Sequence, residues 1–480
     1  MIPVVLLAPL LFTHLGERSS AAPDVLPSIL YEIDLSDHSD DLFHVTVTPP
    51  PLGPEDKFFD FVATAPGTYS VLDFGRFVQS LEALDAQGAQ VPVEQQGTNR
   101  WKLSDPERVA SIVYAIEDTL GSDLAGPGMM SAGGTGIEGT YIILNTFATL
   151  GYFEHHLNVP VRLRLQHNPE WLVGTALRKT SSGEYQASSY RTLADSPILM
   201  GELSSTGIFV GDIEVEIFVH SEDARLSADE VLFAAGDVLV AAEKFIGFAP
   251  VDRYVFLMDF MSMESMQRNG VRAMGALEHS YSSLYTLPAS GSSLERLAEV
   301  IAHEFMHILT PLHLKSEAIA NFDYSSPRLD QHLWLYEGVT EWSAHMLRLR
   351  AGLTNLESHL QTLSRKIQTS RFFDQDYSLA QISTEWATDA GARQYPNVYQ
   401  LGAVTASILD LRLLELSKGE RGLRDVFLDF VKQHGPKAPF DSERFFEKFV
   451  AATYPELGSF FEDHVQGSLP LPYAQAFALV

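Results

Sequence analysis

The sequence predicts an α+β protein with several domains, and three patterns along the chain support this fold class. In the first part, runs such as YEIDLS at 31–36 and VRLRLQ at 161–166 alternate apolar and polar residues, which is typical of half-buried β-strands. At Ser227 a capping-box spelling, S-A-D-E, begins a helical pattern that ends at Gly247. From Ser292 onward the pattern is mostly helical. We therefore expect a β domain, then a mixed domain, then a helical domain.

The length of the chain and these changes of pattern predict four segments. A chain of 480 residues is too long for one ordinary domain. IEVEIFVH at 213–220 is the last predicted strand of the first domain, and GALEHSYSSLY at 275–285 is a predicted strand of the mixed domain. The four segments are a signal peptide at 1–22, a β-sandwich-like domain at 23–220, a mixed α+β domain at 221–352 and a helical domain at 353–480.

The N-terminal segment has the pattern of a secretory signal peptide. Residues 2–13, IPVVLLAPLLFT, are almost wholly apolar, and the small residues of SSAAP follow at 19–23. This apolar stretch is too short to span a bilayer, and no later stretch reaches transmembrane length. We therefore predict export to the periplasm or out of the cell. The alternatives are a buried N-terminal strand or a misplaced start codon, which leave a cytoplasmic protein open.

The composition argues against several classes of partner and of chemistry. The chain has 62 Asp and Glu residues against 33 Lys and Arg residues, and its formal net charge is -29. Such a surface repels phosphate backbones and anionic headgroups, so neither nucleic acid nor a membrane surface is expected as a partner. The chain has no cysteine, which excludes thiolate metal ligands, cysteine nucleophiles and disulfides.

One short motif predicts a metal site. The sequence LERLAEVIAHEFMHIL contains His303, Glu304 and His307 in the spelling H-E-x-x-H. Its helix would begin at the S-S-L-E of 292–295 and end at Pro311. Residues four apart lie on the same face of a helix, so both imidazoles can reach one Zn²⁺ ion. Glu304 then lies beside the ion, where it can activate the attacking water.

Two residues compete for the third protein ligand, which a catalytic zinc site needs beside one open position. His313 lies six residues after His307, the spacing of metzincin metallopeptidases, but Thr310 stands where that class requires a glycine. Glu337 in LWLYEGVTEW lies on the next predicted helix. Glu341, one turn later, is suited to orient a ligand by a hydrogen bond, although a solvated helix residue is an equal interpretation.

Further motifs accompany the zinc motif in a fixed order. They are PGTYSVLDFGRFV at 66–78, GTNRWKL at 97–103, DSPILMG at 195–201, GALEHSYS at 275–282, WLYEGVTEW at 334–342 and YQLGAVTASILDLRL at 399–413. The series resembles the glycyl aminopeptidase family, metallopeptidase family sixty-one, whose members are glutamate-zincin relatives of the aminopeptidase N family. The resemblance implies an N-terminal β domain, a thermolysin-like zinc catalytic domain and a helical domain after it.

The resemblance also implies roles for residues outside the zinc motif. Glu278 in GALEH matches the glutamate with which aminopeptidases bind the free α-amine of the substrate, and the strand edge at Gly275 and Ala276 would bind the substrate backbone. Tyr399 in YQLGA matches the tyrosine that donates a hydrogen bond to the tetrahedral oxyanion, and the nearby Tyr395 is its rival. A phenol suits this role because it stays protonated at neutral pH.

These residues predict a zinc-dependent aminopeptidase that removes N-terminal residues from peptides. His303, His307 and Glu337 would hold one zinc ion per chain. By resemblance, small first residues such as Gly or Ala are preferred. The alternatives are an endopeptidase on the same scaffold and a non-catalytic protein that binds peptides.

Two features depart from the family pattern. After H-E-x-x-H the family often continues with L-W-N-V-K-R, whereas this chain has ILTPLHLKSE at 308–317, which changes the wall beside the metal and puts the substrate preference in doubt. Many members also carry a C-terminal PDZ domain. The sequence reaches LPLPYAQAFALV near the point where such a domain would begin, so we expect either that the domain is absent or that the sequence is truncated.

Overall fold

The computed structural model describes residues 27–125, 129–222, 226–271, 274–289, 294–435 and 437–478. The predicted signal peptide at 1–22 lies outside the described residues, as do Ser292 and Ser293 of the predicted helix start. Within the described ranges, no helix is both long enough and apolar enough to cross a membrane.

β-Strands occupy the first part of the chain and continue into the second. In chain order they are β1 Ile29–Asp34, β2 Leu42–Thr48, β3 Phe58–Asp60, β4 Val78–Leu84, β5 Gln90–Val91, β6 Val93–Gln95, β7 Arg100–Leu103, β8 Ser111–Glu117, β9 Gly136–Glu138, β10 Tyr141–Leu144, β11 Val161–Gln166, β12 Leu172–Thr175, β13 Arg178–Lys179, β14 Tyr185–Ala187, β15 Ile198–Gly201, β16 Ser204–Val210, β17 Ile213–Ser221, β18 Arg253–Met261, β19 Gly275–His279 and β20 Ser282–Pro288.

The α-helices lie mostly in the second part of the chain, and only α1 and α2 of those described precede residue 202. In chain order they are α1 Thr146–Thr149, α2 Tyr190–Ala194, α3 Ala228–Ile246, α4 Met263–Arg268, α5 Leu294–Met306, α6 Glu317–Ala320, α7 Thr340–Arg350, α8 Leu356–Ser370, α9 Leu379–Glu385, α10 Asp389–Gln394, α11 Ala403–Leu416, α12 Leu423–His434, α13 Phe445–Ala452, α14 Leu457–Phe461 and α15 Tyr473–Phe477.

The strands before residue 202 form sheets around a shared apolar core. A mixed sheet has the order β13–β14–β11–β1–β2–β8–β4–β5, in which β1 is parallel to β11 and antiparallel to β2. Two smaller sheets have the orders β12–β15–β10–β9 and β3–β7–β6. The alternation in YEIDLS predicts one buried face, and Tyr31, Ile33 and Leu35 are indeed buried.

A fourth sheet, with the order β16–β17–β18–β20–β19, carries part of the candidate site, since Glu278 lies on β19. Residues 213–220 were predicted to close the first domain, but they form β17, which pairs in parallel with β18. The sheet therefore continues across the boundary predicted at residue 220, because an alternating strand pattern does not identify the neighbouring strand. We propose a boundary near residue 202, just before β16.

The segment 275–285, which was predicted as one strand, forms two. β19 and β20 pair antiparallel with His279 opposite Ser282, so Ser280 and Tyr281 make the turn between them. Two-residue hairpin turns are usually recognised by Gly, Asn or Asp, and neither turn residue here is one of these. β19 is thereby an edge strand of the fourth sheet.

The helices beside this sheet bury one continuous apolar core with it. α3 begins with the predicted capping box, since Ser227 Oγ accepts the N–H of Glu230 and the Glu230 carboxylate accepts the N–H of Ser227. It ends at Gly247, whose φ of 75° lies in the left-handed region that glycine adopts freely. α3 packs against α5, and α5 packs against α7, which brings the two predicted zinc-binding helices together.

Two helices begin with a π-helical turn, a rare form that is frequent at functional sites. Trp334–Val339 precedes α7 and Val398–Gly402 precedes α11. The two turns touch at glycines: a Cβ added to Gly338 would lie 2.7 Å from both the Cα and the carbonyl carbon of Gly402. Glycine at both positions therefore allows the EGVT and YQLG motifs to meet.

Candidate metal centre

The two histidines of H-E-x-x-H lie with their Nε2 atoms next to each other. Helix α5 carries His303, and His307 follows its last residue; their Nε2 atoms are 3.2 Å apart. Each Nδ1 donates elsewhere, that of His303 to Glu341 Oε2 at 2.8 Å and that of His307 to the carbonyl of Thr310 at 2.9 Å. A proton on Nδ1 leaves the lone pair of Nε2 free to bind a metal ion.

The π-helical turn before α7 adds a carboxylate to this pair. Glu337 Oε2 lies 3.4 Å from His303 Nε2 and 3.6 Å from His307 Nε2. Glu337 is only 1% exposed, and its Oε2 has no hydrogen-bond partner among the residues that the structure describes. A buried carboxylate oxygen of this kind is costly unless a cation binds it.

The three atoms fit a zinc ion. Two ligands held about 2.0–2.1 Å from a tetrahedral ion lie about 3.3 Å apart, close to the 3.2, 3.4 and 3.6 Å of this site. Two imidazoles with one carboxylate are also a donor set of catalytic zinc enzymes. His313, the other candidate for the third ligand, is not a member of either potential metal-binding group found in the described ranges. The geometry thus supports Glu337.

Carboxylates surround the two imidazoles, and the pKa values reflect this. Burial by itself would lower the pKa of His303, but Glu337 and Glu341 outweigh it and raise this pKa well above its usual value. Burial lowers the pKa of His307 to about 4 and raises the pKa of Glu304 to about 7. The raised pKa values of His303 and Glu304 therefore favour a positive charge beside them, whereas the lowered pKa of His307 keeps its ring neutral.

The predicted amine-binding residue lies in the same cluster. A carboxylate oxygen of Glu278, one of Glu304 and a ring nitrogen of His307 lie within 4.8 Å of one another. These three could also hold a metal ion, but the set with His303 and Glu337 supplies two imidazoles and leaves Glu304 free to act as a base. Burial, followed by the charges of Glu337 and Glu304, raises the pKa of Glu278 well above its usual value, so a cation beside it is stabilising.

The strand around Glu278 has one edge without a neighbouring strand among the described residues. Gly275 and Ala276 begin the edge strand β19 and are half-buried. A loop of the N-terminal domain closes over the other end: a Cβ added to Gly67, whose φ is +76°, would lie 2.9 Å from Glu278 Oε1. The carboxylate thus stands at the closed end of the strand edge, beside the proposed metal ligands.

Both candidate tyrosines reach the site. The ring centroid of Tyr399 is 5.8 Å from that of His303, and the hydroxyls of Tyr395 and Tyr399 are 2.7 Å apart. Burial, followed by the charge of Glu337, raises the pKa of each tyrosine well above its usual value, so both hydroxyls stay protonated. The ring contact with His303 favours Tyr399 as the oxyanion donor, with Tyr395 bonded to its hydroxyl.

Comparison with protein-family models now identifies the family. The model of the peptidase M61 N-terminal domain matches residues 30–202, and the model described as M61 glycyl aminopeptidase matches residues 296–404. The two matches together span more than half of the chain. The chain belongs to the M61 glycyl aminopeptidase family. The family predicted from the sequence motifs is therefore confirmed, and the protein is a metallopeptidase. A comparison with curated protein sequences finds no match.

Solved structures share the fold of this M61 peptidase. An aminopeptidase N family protein from Idiomarina loihiensis matches with a TM-score of 0.79 at 19% identity, over 94% of this chain and 78% of that chain. A two-domain M1 zinc metallopeptidase mutant bound to L-tryptophan matches with a TM-score of 0.57 at 14% identity, over 93% and 95%. Legionella pneumophila aminopeptidase A in complex with aspartic acid matches with a TM-score of 0.55 at 15% identity, over 91% and 49%. The predicted fold class is confirmed.

The M61 N-terminal domain contributes a residue that the sequence motifs did not identify as functional. The Tyr69 hydroxyl donates to Glu337 Oε1 at 3.0 Å, across 268 residues of chain. Its ring packs against Tyr395 and Trp386, with centroids 5.1 and 5.9 Å away. Tyr69 has a φ of 42°, a left-handed conformation that is strained for a residue other than glycine and that is enriched at functional sites. Its motif, PGTYSV, was visible in the sequence, but its partner was not.

A second residue of that domain holds the turn beside Glu278. Asp195, in DSPILMG, accepts the N–H of Ser280 through Oδ2 at 3.1 Å, and its Oδ1 lies 3.2 Å from His279 Nδ1. Both contacts fall at the end of β19, one and two residues after Glu278. Asp195 therefore fixes the strand that carries the proposed amine-binding carboxylate.

Replacing Tyr69 with Phe should weaken zinc binding by about 10-fold, because a lost hydrogen bond to a ligating carboxylate typically costs 10- to 100-fold in metal affinity or activity. The ring packing is retained, so the free energy of unfolding should change little. Zinc affinity is measured by competition with a chromophoric chelator. Tyr185→Phe, in strand β14 outside the site, is the matched control. Unchanged zinc affinity in Tyr69→Phe would show that the hydroxyl does not hold Glu337.

Proposed function

We propose that the protein is a zinc-dependent aminopeptidase that removes small N-terminal residues, Gly or Ala, from peptides. One observation carries the proposal: the Glu278 carboxylate lies within 4.8 Å of Glu304 and of His307, beside the proposed metal ligands. The α-amine and the carbonyl carbon of one residue are about 2.5 Å apart. An ammonium bound by Glu278 therefore puts the first peptide bond next to Glu304 and the metal.

The chain's own residues can perform the hydrolysis around this metal. Bound by His303, His307 and Glu337, zinc supplies Lewis acidity, which polarises the scissile carbonyl and lowers the pKa of a water molecule. Glu304 accepts the proton of the attacking water at its carboxylate and passes it to the leaving amine. Glu341 holds the His303 ring through Nδ1.

Two further residues bind the opposite charges of the reacting substrate. The Tyr399 hydroxyl donates a hydrogen bond to the oxygen that becomes negative. Glu278 binds the ammonium, and the outer edge of β19 around Gly275 and Ala276 binds the substrate backbone as an added strand. These contacts order the substrate with its first residue against the closed end of the site.

The comparisons support both the metal and the reaction. The matching catalytic model is described as glycyl aminopeptidase, which supports glycine and other small first residues. One structural neighbour is a zinc metallopeptidase bound to an amino acid. Zinc also suits the observed donors, as two imidazoles and a carboxylate face one point. We further propose export of the protein, which rests on the apolar run at 2–13.

The test is an assay on Gly- and Ala-p-nitroanilide and on N-acetyl-Ala-p-nitroanilide, with protein of measured zinc content. We expect p-nitroaniline release from the two free-amine substrates and none from the acetylated one. A chelator should stop the release, and added zinc should restore it. Cleavage of the acetylated substrate would favour an endopeptidase. No cleavage of any substrate by zinc-loaded protein would favour a peptide-binding role.

Glu278→Gln is the variant that tests the amine site within this assay. It should raise KM for Ala-p-nitroanilide without changing the zinc content, because Gln keeps the shape but loses the charge that binds the ammonium. Glu170→Gln, at an exposed position, is the matched control. An unchanged KM in Glu278→Gln would remove the amine-binding role while leaving the peptidase itself in place.

A further inference from the structure

A buried lysine of the helical segment touches both parts of the proposed catalytic machinery. Lys366 lies on α8 and is 8% exposed, and a lysine this deeply buried is normally paired. We propose that Lys366 is a positioning residue that fixes the zinc ligand His303 and the oxyanion donor Tyr399 in position relative to each other. The inference rests on the proposed function and adds a residue to it.

The first contact of Lys366 is with the carboxylate that holds the proposed zinc ligand His303. Lys366 Nζ donates to Glu341 Oε1 at 2.6 Å, and the other oxygen of that carboxylate accepts His303 Nδ1 at 2.8 Å. Oε1 also lies 3.3 Å from His345 Nε2, so both oxygens of the Glu341 carboxylate have partners and its rotation is fixed. Because His303 is held through this carboxylate, Lys366 helps to aim its Nε2 at the metal.

The second contact of Lys366 is with the backbone of Tyr399. The same ammonium donates to the backbone carbonyl of Tyr399 at 3.0 Å, in the π-helical turn that precedes α11. Helix α8 packs against this turn. The position of the Tyr399 hydroxyl depends on the backbone of the turn, so a fixed carbonyl also fixes the donor.

Neighbouring cations do not make this pair of contacts. Arg348 pairs with Glu299 at 2.6 Å, and Arg365 donates to Thr362 Oγ1 at 2.8 Å. Arg365 is exposed, whereas Lys366 is buried. Among the described side chains, Lys366 is the cation that bridges the Glu341 carboxylate and the Tyr399 carbonyl, so a general basic environment does not account for its placement.

The experiment compares Lys366→Met, which keeps length and loses charge, with Lys366→Arg and with the control Arg365→Met. We expect Lys366→Met to weaken zinc binding about 10-fold and to lower kcat by about 10- to 100-fold. Its KM should stay within about twofold of the wild-type value, because Glu278 and β19 still bind the substrate. Lys366→Arg should recover part of the loss, and Arg365→Met should match the wild type. Zinc affinity is measured by chelator competition and kcat per folded, zinc-loaded molecule.

A double-mutant cycle tests the second contact. If Lys366 acts through Tyr399, the kcat loss of Lys366→Met should be several-fold smaller when Tyr399 is already Phe. Fully additive losses would overturn the link to Tyr399. Wild-type zinc affinity and kcat in Lys366→Met, or a fall in unfolding stability alone, would overturn the inference. If the wild-type protein hydrolyses none of the substrates, the proposed function fails, and the zinc affinities still decide whether Lys366 positions His303.

Discussion

Glu304→Gln should lower the hydrolysis of Ala-p-nitroanilide by about 10²- to 10⁴-fold while the protein keeps its zinc. Gln has the shape of Glu but cannot accept the proton of the attacking water. His303, His307 and Glu337 can hold the metal without Glu304, because their donor atoms already lie within 4.8 Å of one another. The variant therefore separates metal binding from proton transfer.

Zinc content and kcat must be measured together in this experiment. Glu299→Gln is the matched control, since Glu299 lies on the same helix and its side chain is about half-exposed. Gln can still accept the hydrogen bond from the buried Arg348 guanidinium, so the contact is kept while the negative charge is removed. Wild-type activity in Glu304→Gln would exclude Glu304 as the base. Loss of zinc would instead make Glu304 a ligand, in the group with Glu278 and His307.

The parts of the site that could be predicted from the sequence depend on short-range rules. His303 and His307 lie close together because residues four apart share a helix face, and the H-E-x-x-H motif has this spacing. The capping box at Ser227 and the end of α3 at Gly247 are equally local. Glu337 lies on a different element, and the sequence alone left it in competition with His313. It was favoured by its motif, and the structure brings it to the two imidazoles.

The parts that were missed depend on contacts between distant segments. Tyr69 and Glu337 are 268 residues apart, and Lys366 meets Glu341 from another helix. Nothing in the local pattern around either residue indicates such a partner. The membership of β17 was missed for a related reason: its alternating burial is the same whichever sheet it joins. Predicting these features requires the packing of the whole chain.

The contact between Gly338 and Gly402 makes Gly338→Ala the second variant with a large expected effect. The added methyl would meet the Cα and the carbonyl carbon of Gly402 at 2.7 Å, and both atoms are backbone, so no side-chain rotation can relieve the clash. Overpacking of this kind costs about 1–3 kcal/mol in unfolding free energy. The two π-helical turns must move apart, and these turns carry Glu337 and Tyr399.

We therefore expect Gly338→Ala to lose activity as well as stability. A displacement of about 1 Å in a catalytic group costs on the order of 10²-fold in rate, so kcat should fall by about that factor, and zinc affinity should fall with it. Gly236→Ala in α3 is the matched control, because a Cβ there meets nothing within 4 Å and Ala favours a helix interior by about 0.5–1 kcal/mol over Gly. Denaturant unfolding, chelator competition and kcat are measured for both. If Gly338→Ala keeps the zinc affinity and kcat of the wild type, the contact between the glycines does not set the position of Glu337 relative to Tyr399. The surrounding core would then hold the two motifs together.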